Sequence, residues 1–515
     1  MRVLRRARGG WGVVAAPPSN GKATLEVNRR DPPRPCARRK HKIGALFTWA
    51  GARCLGWGAL VFHFRRFVIR NRRTKIIATL GPALDRPGEL EAMLDAGADV
   101  LRVNLSHASP PAHVERVRRA RAHRPDVAVL VDLSGPKLRL GELPSELTVQ
   151  AGETVTLGAG GLAVADPSLF DRVRAGDPVF IADGTIDLEA VSVSTTRVTC
   201  RVRVGGVLRS RKGINLPMDT SSLPSLTDKD RADLLQIDLL NPDFVAISYV
   251  RHEDDVADAR KLTQLPLIAK IEKQNALERL DAIIAAADGI MVARGDLGVE
   301  IPIERVPAAQ KRLIRGANRA GRPVITATQM LMSMVSSPLP TRAEVTDVAN
   351  AVLDGTDAVM LSEETAVGHS PSGAVRMMAR LIAETEPLMA DEHAGPARDK
   401  DGNALAYAAV RLAEDLDAVA IIAPTLTGVS AQRLSAFRPA RPILAYCRRP
   451  ETTRKLHLAW GVTATDIKVP AGADPMQATL EAARKDLPAG AKVVLLDIAP
   501  AGARGVPSLV NAITL

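Results

Sequence analysis

From Lys75 onward, short apolar runs alternate with stretches whose apolar residues recur every three or four positions. Eight runs occupy 76–80, 99–104, 127–132, 244–248, 267–272, 289–293, 323–327 and 358–361. Each is short, partly β-branched and almost uncharged away from its ends, the pattern of strands buried on both faces of a parallel sheet. Helical patterns lie between most of them. One over 89–96 stops at Gly97, one over 307–318 opens on a proline at a tolerated first-turn position, and a third covers 343–353. Eight such units predict an α/β chain built on a (β/α)₈ TIM barrel, over 71–140 and 217–390.

One interval breaks the alternation. More than a hundred residues separate Asp132 from Phe244. Within them, 141–216 is rich in Val, Thr, Gly and Asp, with hairpin signals at Asp183-Gly184 and Gly205-Gly206. This predicts a small β domain inserted in a βα loop on the catalytic face, placed to act as a lid. The tail, 391–515, carries helical patterns at 404–416, 451–460 and 475–487 and strand runs at 419–423, 443–447 and 492–498. It reads as an open α/β domain. No internal repeat is visible.

The formal charge of +12 changes the picture less than it suggests. Residues 1–73 carry 18 Lys/Arg against 2 Asp/Glu, a balance of +16, and the remainder balances at −4. Basicity confined to one arm argues against a nucleic-acid-binding body. Residues 1–70 are Arg-rich, acid-poor and irregular. A transit peptide would share that composition but is usually richer in serine. A membrane anchor over 43–64 would place Arg53 mid-span, at a cost of about 3 kcal/mol. The arm is read as a disordered extension or a start assigned too far upstream, with no stable membrane insertion. Cys36, Cys54, Cys200 and Cys447 show no CxxC spacing, which points to a reducing, cytoplasmic setting without structural zinc. With aromatic content at 3% of residues, the core must be mainly aliphatic.

Polar residues gather where the predicted barrel strands end, the face on which barrel enzymes place their sites. The second run ends in Arg102-Val103-Asn104-Leu105-Ser106-His107, the third in Asp132, the seventh in Thr328 and the eighth in Ser362-Glu363-Glu364. Lys270 and Glu272 lie two apart on the fifth and share one side of it. The sixth runs into Ala293-Arg294-Gly295-Asp296. If Lys270 faces the barrel interior, it needs an anionic partner or substrate. Glu272 with Asp296 offers oxygen ligands and no soft ones, which suits Mg²⁺ or Mn²⁺ with positions left for substrate oxygens. A structural Lys–Glu ion pair at a barrel rim would look the same in isolation, as would a rim Arg102 paired with an acid.

Taken together, these segments resemble pyruvate kinase. The resemblance runs through Arg72-Arg73-Thr74-Lys75-Ile76, the Arg102 to His107 segment, Arg211-Lys212-Gly213-Ile214-Asn215 and Ile268-Ala269-Lys270-Ile271-Glu272. It is strongest in Asp288-Gly289-Ile290-Met291-Val292-Ala293-Arg294-Gly295-Asp296 and continues in Ala327-Thr328-Gln329-Met330 and Pro340-Thr341-Arg342-Ala343-Glu344. It implies phosphoryl transfer from phosphoenolpyruvate to ADP, giving ATP and pyruvate. Glu272 and Asp296 would hold the Mg²⁺ (or Mn²⁺). The backbone of Ala293, Arg294, Gly295 and Asp296 would grip the substrate carboxylate, and Lys270 and Arg102 would stabilise the transferring group. Thr328 would lie near the face of enolate protonation. Asn104, His107, Arg139 and Lys212 match nucleotide-side positions. The resemblance also implies a homotetramer and, at Thr425-Leu426-Thr427-Gly428-Val429-Ser430, a phosphorylated allosteric effector.

Two departures stand out. The family's monovalent-cation site maps to Asn104, Ser106, Asp132 and Leu133, where potassium-requiring members have Thr at the Leu133 position and Glu at the Lys137 position. A built-in ammonium at Lys137 can replace the ion, so K⁺ is expected to be dispensable. Glu363 stands where many members have Gly, and nothing in the sequence explains it. The rivals are a carbon–carbon lyase on a similar barrel, a catalytically silent homologue and a basic RNA-binding protein. The first would lack the insert and the tail, intact Lys270, Glu272, Asp296 and Thr328 oppose the second, and only the terminal arm supports the third.

Overall fold

The computed structural model describes residues 72–515 except 107, 137, 183, 217–225, 390–394, 399–400 and 499–507. The expectations for the N-terminal arm, His107 and Lys137 therefore lie outside the described residues.

All eight runs become strands of one closed parallel barrel: β1 (Lys75–Thr79), β2 (Val100–Asn104), β3 (Ala128–Asp132), β4 (Phe244–Val250), β5 (Leu267–Ile271), β6 (Gly289–Ala293), β7 (Val324–Ala327) and β8 (Ala358–Leu361). β8 closes on β1 through pairs such as Lys75 with Ala358. Alternation sorts each strand's residues between two cores. Ile76 and Ala78 pack outward under the helices, whereas Ile77, Val100, Leu130, Ala246, Ile268 and Met291 fill the barrel. Leu458, from the tail, packs into the same interior cluster. The helix Arg342–Leu353 starts where the sequence places it because Thr341 and Glu344 form a reciprocal capping box. The helix Val306–Ala320 stops at Gly321, which takes the left-handed conformation that glycine tolerates.

β4 differs from expectation. It is two residues longer than its apolar run, and between Ile247 and Val250 it advances three residues while β5 advances two, from Ala269 to Ile271. The extra residue makes a β-bulge at Ser248-Tyr249, with Tyr249 at φ 56°.

The insert forms a six-stranded sheet and a two-stranded sheet over its own apolar core, and it begins earlier than the expected 141, since the strand Leu138–Arg139 pairs into the six-stranded sheet. The strands Pro178–Ile181 and Ile186–Val193 pair as the hairpin expected around Asp183-Gly184. The Gly205-Gly206 signal is not a hairpin. The turn between Ile186–Val193 and Arg197–Val204 falls at 194–196, and the chain then passes at Gly205 into Gly206–Leu208, which pairs with Leu147–Val149. Glycine is needed there for close approach, since a Cβ on Gly205 would lie 2.3 Å from the Val149 carbonyl oxygen. At the Gly184 turn, a Cβ would lie 3.4 Å from Val299, so the hairpin tip sits against the helix Arg294–Glu300.

The tail is an α/β unit with a five-stranded sheet. It contains two strands that the sequence pattern does not single out, Val462–Asp466 and Leu509–Thr514, both at sheet edges and half exposed. It also contains an unforeseen helix, Val429–Ala436, and the expected helix over 451–460 ends at Leu456. The tail meets the barrel floor through Lys75 Nζ on the Val462 carbonyl (2.7 Å), Arg454 on Asp243 (2.8 Å) and Arg438 on Asp357 (2.6 Å).

Candidate active site

The inward residues that fill the barrel are followed, two positions on, by polar ones. Val100 leads to Arg102, Leu130 to Asp132, Ala246 to Ser248, and Ile268 to Lys270 and then Glu272. Strand alternation thus carries four apolar columns into a cluster of charges at the C-terminal mouth.

Lys270 is the centre of that cluster. Its ammonium contacts Ser248 Oγ at 2.7 Å, Glu272 Oε1 at 2.9 Å and Asp132 Oδ1 at 3.2 Å. Arg102 approaches the same Asp132 through Nε and Nη2, both 2.8 Å from Oδ2, and donates from Nη1 to Thr79 Oγ1 at 3.2 Å. Glu272 accepts a 2.6 Å hydrogen bond from the Tyr249 N–H of the bulge. Asp132 and Glu272 are each about 1% exposed. Such burial is tolerable only because the charges compensate one another.

The protonation behaviour follows from the same contacts. Burial favours protonation of Asp132, but the fields of Lys270 and Arg102 outweigh it and hold the carboxyl below its usual range. Burial opposes the charge on Lys270, yet Asp132 and Glu272 drive its affinity for the proton above that of a free lysine. Glu272 is pushed upward by burial, partly offset by Lys270 and reinforced by the Asp296 carboxylate. Glu272 and Asp296 lie close enough for each carboxylate to feel the other, and both offer only oxygen donors, so a hard divalent cation fits that side. Among the described residues no three His, Cys, Asp or Glu groups converge into a complete metal cage, so other oxygens would finish the coordination.

Asp296 stands in the first turn of the helix Arg294–Glu300, directly after β6. That helix is tied to the end of β7. The Gly295 N–H donates to Thr328 Oγ1 at 2.8 Å, and Arg294 donates to the carbonyls of Ala327 (3.1 Å) and Thr328 (2.7 Å) while pairing with Asp347 at 2.6 Å. Thr328 and Gln329 are both left-handed, at φ 63° and 54°. Consecutive non-glycine residues in that region are costly and need such restraint. The Arg294 side chain is occupied in holding this turn.

Asn104 Oδ1 accepts from the Ser106 N–H at 3.1 Å, and the Leu133 carbonyl accepts from Ser248 Oγ at 2.7 Å. Arg139 and Lys212 lie on the insert, not among the mouth contacts. Arg139 pairs in register with Gly213 and donates to the Arg211 carbonyl at 3.2 Å, and Lys212 is exposed.

Two family models match the chain: the pyruvate kinase barrel domain over residues 71–375 and the pyruvate kinase alpha/beta domain over 403–510. A pyruvate kinase of Methylorubrum extorquens is 40% identical over 467 residues, covering 86% of this chain and 97% of that protein. Pyruvate kinase of Mycobacterium tuberculosis is 41% identical, covering 85% and 98%. Pyruvate kinase 2 of Synechocystis is 41% identical, covering 81% and 74%.

The chain belongs to the pyruvate kinase family.

Among the described residues its fold is that of a pyruvate kinase, with barrel, inserted β sheet and terminal α/β unit. Ser248 and the Tyr249 N–H were missed, although Ser248 closes the apolar run of β4. Glu364 does not face the mouth. It is buried and accepts from the Leu331 and Ser362 N–H groups at 3.1 and 2.7 Å, joining the loops after β7 and β8. Glu363 is exposed at the start of the short helix Glu363–Ala366, and nothing around it explains its presence. In the loop at 425–430, Thr425 Oγ1 accepts from the Gly428 N–H at 2.8 Å, and Gly428 turns left-handed into the helix Val429–Ala436. No helix among the described residues is long and apolar enough to cross a membrane.

Proposed function

We propose that this chain transfers the phosphoryl group of phosphoenolpyruvate to ADP, forming ATP and pyruvate. The observation that carries the reading is the buried Lys270 ammonium, held at the barrel mouth among Asp132, Glu272 and Ser248, with Arg102 anchored alongside. Two cations fixed at the barrel mouth with little solvent exposure are suited to a charge-rich transferring group. The bond from phosphorus to the enol oxygen breaks as one to the terminal ADP oxygen forms. The enolate carbon then takes a proton from solvent. Lys270 stabilises the phosphoryl oxygens and the enolate, and Arg102 the phosphoryl group.

Glu272 and Asp296 are the residues that would hold Mg²⁺ or Mn²⁺, which when bound supplies Lewis-acid neutralisation of substrate oxygens. The backbone at Ala293, Arg294, Gly295 and Asp296 receives the substrate carboxylate. The Gly295 N–H donates to Thr328 Oγ1, which supports a role for Thr328 beside the substrate, near the face of enolate protonation. Asn104, His107, Arg139 and Lys212 take the nucleotide, the latter two carried by the insert, whose tip already rests against the helix bearing Asp296. A cytoplasmic location accords with Cys200 and Cys447, both buried and unpaired. A homotetramer and a phosphorylated effector at the loop 425–430 complete the reading.

A coupled assay of pyruvate formation from phosphoenolpyruvate, ADP and Mg²⁺ tests it. Turnover that requires all three is expected, and none at any metal concentration would overturn the reading.

A further inference from the structure

We infer that Ser248 is a positioning residue for Lys270, holding the ammonium on a fixed pivot while it turns from Asp132 to the substrate. The inference rests on the reaction proposed above. Ser248 is about 2% exposed, so its hydroxyl must find partners inside the protein. It has two. Its proton is committed to the Leu133 carbonyl at 2.7 Å, and it accepts from Lys270 Nζ at 2.7 Å. A hydroxyl has a single proton, so the one on Leu133 fixes which way the lone pairs point. Ser248 therefore meets Lys270 only as an acceptor and cannot compete as a donor for the substrate.

The three contacts of the ammonium are unequal. Ser248 is nearest, at 2.7 Å, Glu272 next at 2.9 Å, and Asp132 farthest at 3.2 Å. Asp132 is also the partner best able to lose Lys270, because Arg102 holds it through two nitrogens. Asp132 Oδ1 meets Lys270 only as an ion pair and has no hydrogen-bond partner among the described residues, so an arriving phosphoryl oxygen displaces that contact while Ser248 and Glu272 remain as the pivot. Both pivot contacts come from one device, the bulge in β4. It turns Ser248 to Lys270 and, through the left-handed Tyr249, an N–H to Glu272 at 2.6 Å. Gly135 gives the bulge its room, since a Cβ there would lie 2.8 Å from both Ser248 Cβ and the Tyr249 ring. The bulge thus also joins Lys270 to the loop after β3, the one that carries Leu133.

Without the hydroxyl, Lys270 keeps its charge and its carboxylates but loses the neutral contact that sets its direction. Misplacement of a charge-stabilising group weakens the transition state more than substrate binding. The test compares wild type, Ser248→Ala and Ser248→Thr by steady-state kinetics, with phosphoenolpyruvate affinity measured by calorimetry and folding by thermal melting. For Ser248→Ala, kcat is expected to fall about 10- to 100-fold, with KM for both substrates, calorimetric affinity and melting temperature close to wild type. Ser248→Thr restores most of kcat. Should the threonine variant fail to fold, Ser248→Cys takes its place and is expected to fall between wild type and alanine. Unchanged kcat in Ser248→Ala would overturn the inference, as would a loss seen only in KM or equal losses in the alanine and hydroxyl-bearing variants. Absence of turnover in the wild type would instead defeat the functional reading beneath it.

Discussion

Arg102 grips Asp132 through two nitrogens on one carboxylate oxygen, each at 2.8 Å. The other oxygen lies 3.2 Å from Lys270. The two residues sit on neighbouring strands, paired within the β2–β3 register two positions apart. One carboxylate therefore orients both cations proposed to meet the phosphoryl group. Asp132→Ala leaves those cations buried with too little negative charge. Removing one member of such a cluster costs about 3 to 5 kcal/mol. We predict a melting temperature lowered by several degrees, and kcat lowered more than the loss of folded protein accounts for. Thermal melting and kinetics on the same preparation check this.

A second prediction concerns His113, buried beside the helix Val114–His123, with neither ring nitrogen hydrogen-bonded. Burial, aided by Arg116 and weakly opposed by Asp85, lowers its pKa from 6.5 to about 4. The unfolded chain therefore binds a proton between those values that the folded one refuses. Stability should fall as pH drops from about 6.5 to about 4, with no further contribution from this group outside that window. The full difference amounts to about 3 kcal/mol. Replacing His113 by Gln should flatten that part of a denaturation-against-pH curve, and an unchanged slope would reject the assignment.

The monovalent cation provides a third test. Leu133 still presents its carbonyl, partly engaged by Ser248, and Lys137 follows four residues later in the sequence. We predict turnover in buffer free of sodium and potassium, with little gain on adding K⁺. Lys137→Glu should make activity depend on K⁺. Near-zero turnover of the wild type, rescued by K⁺, would contradict the prediction.

Much of this was legible in the chain because burial on both faces leaves a plain mark. All eight barrel strands appear as apolar runs, and the polar residues that end them mark the catalytic face. What was lost depended on contacts between strands. The bulge at Ser248-Tyr249 exists only relative to the register of β5, and no local pattern announces it. Asp132 could be placed at a strand end but not recognised as the shared partner of Arg102 and Lys270, which come from different strands. Gly205-Gly206 looked like a turn because glycine pairs usually are, whereas close approach to Val149 is what requires the glycine. Val462–Asp466 and Leu509–Thr514 escaped because edge strands are half exposed and lack an unbroken apolar run.

The central claim is that Lys270 stabilises charge on the transferring phosphoryl group. Lys270→Met keeps much of the side-chain volume and removes only the ammonium. The most direct measurement is the turnover of this variant with phosphoenolpyruvate, ADP and Mg²⁺, after thermal melting has shown that it folds. We predict that phosphoryl transfer falls to background while the protein stays folded. A folded Lys270→Met enzyme that still forms pyruvate at a rate near that of the wild type would contradict the account.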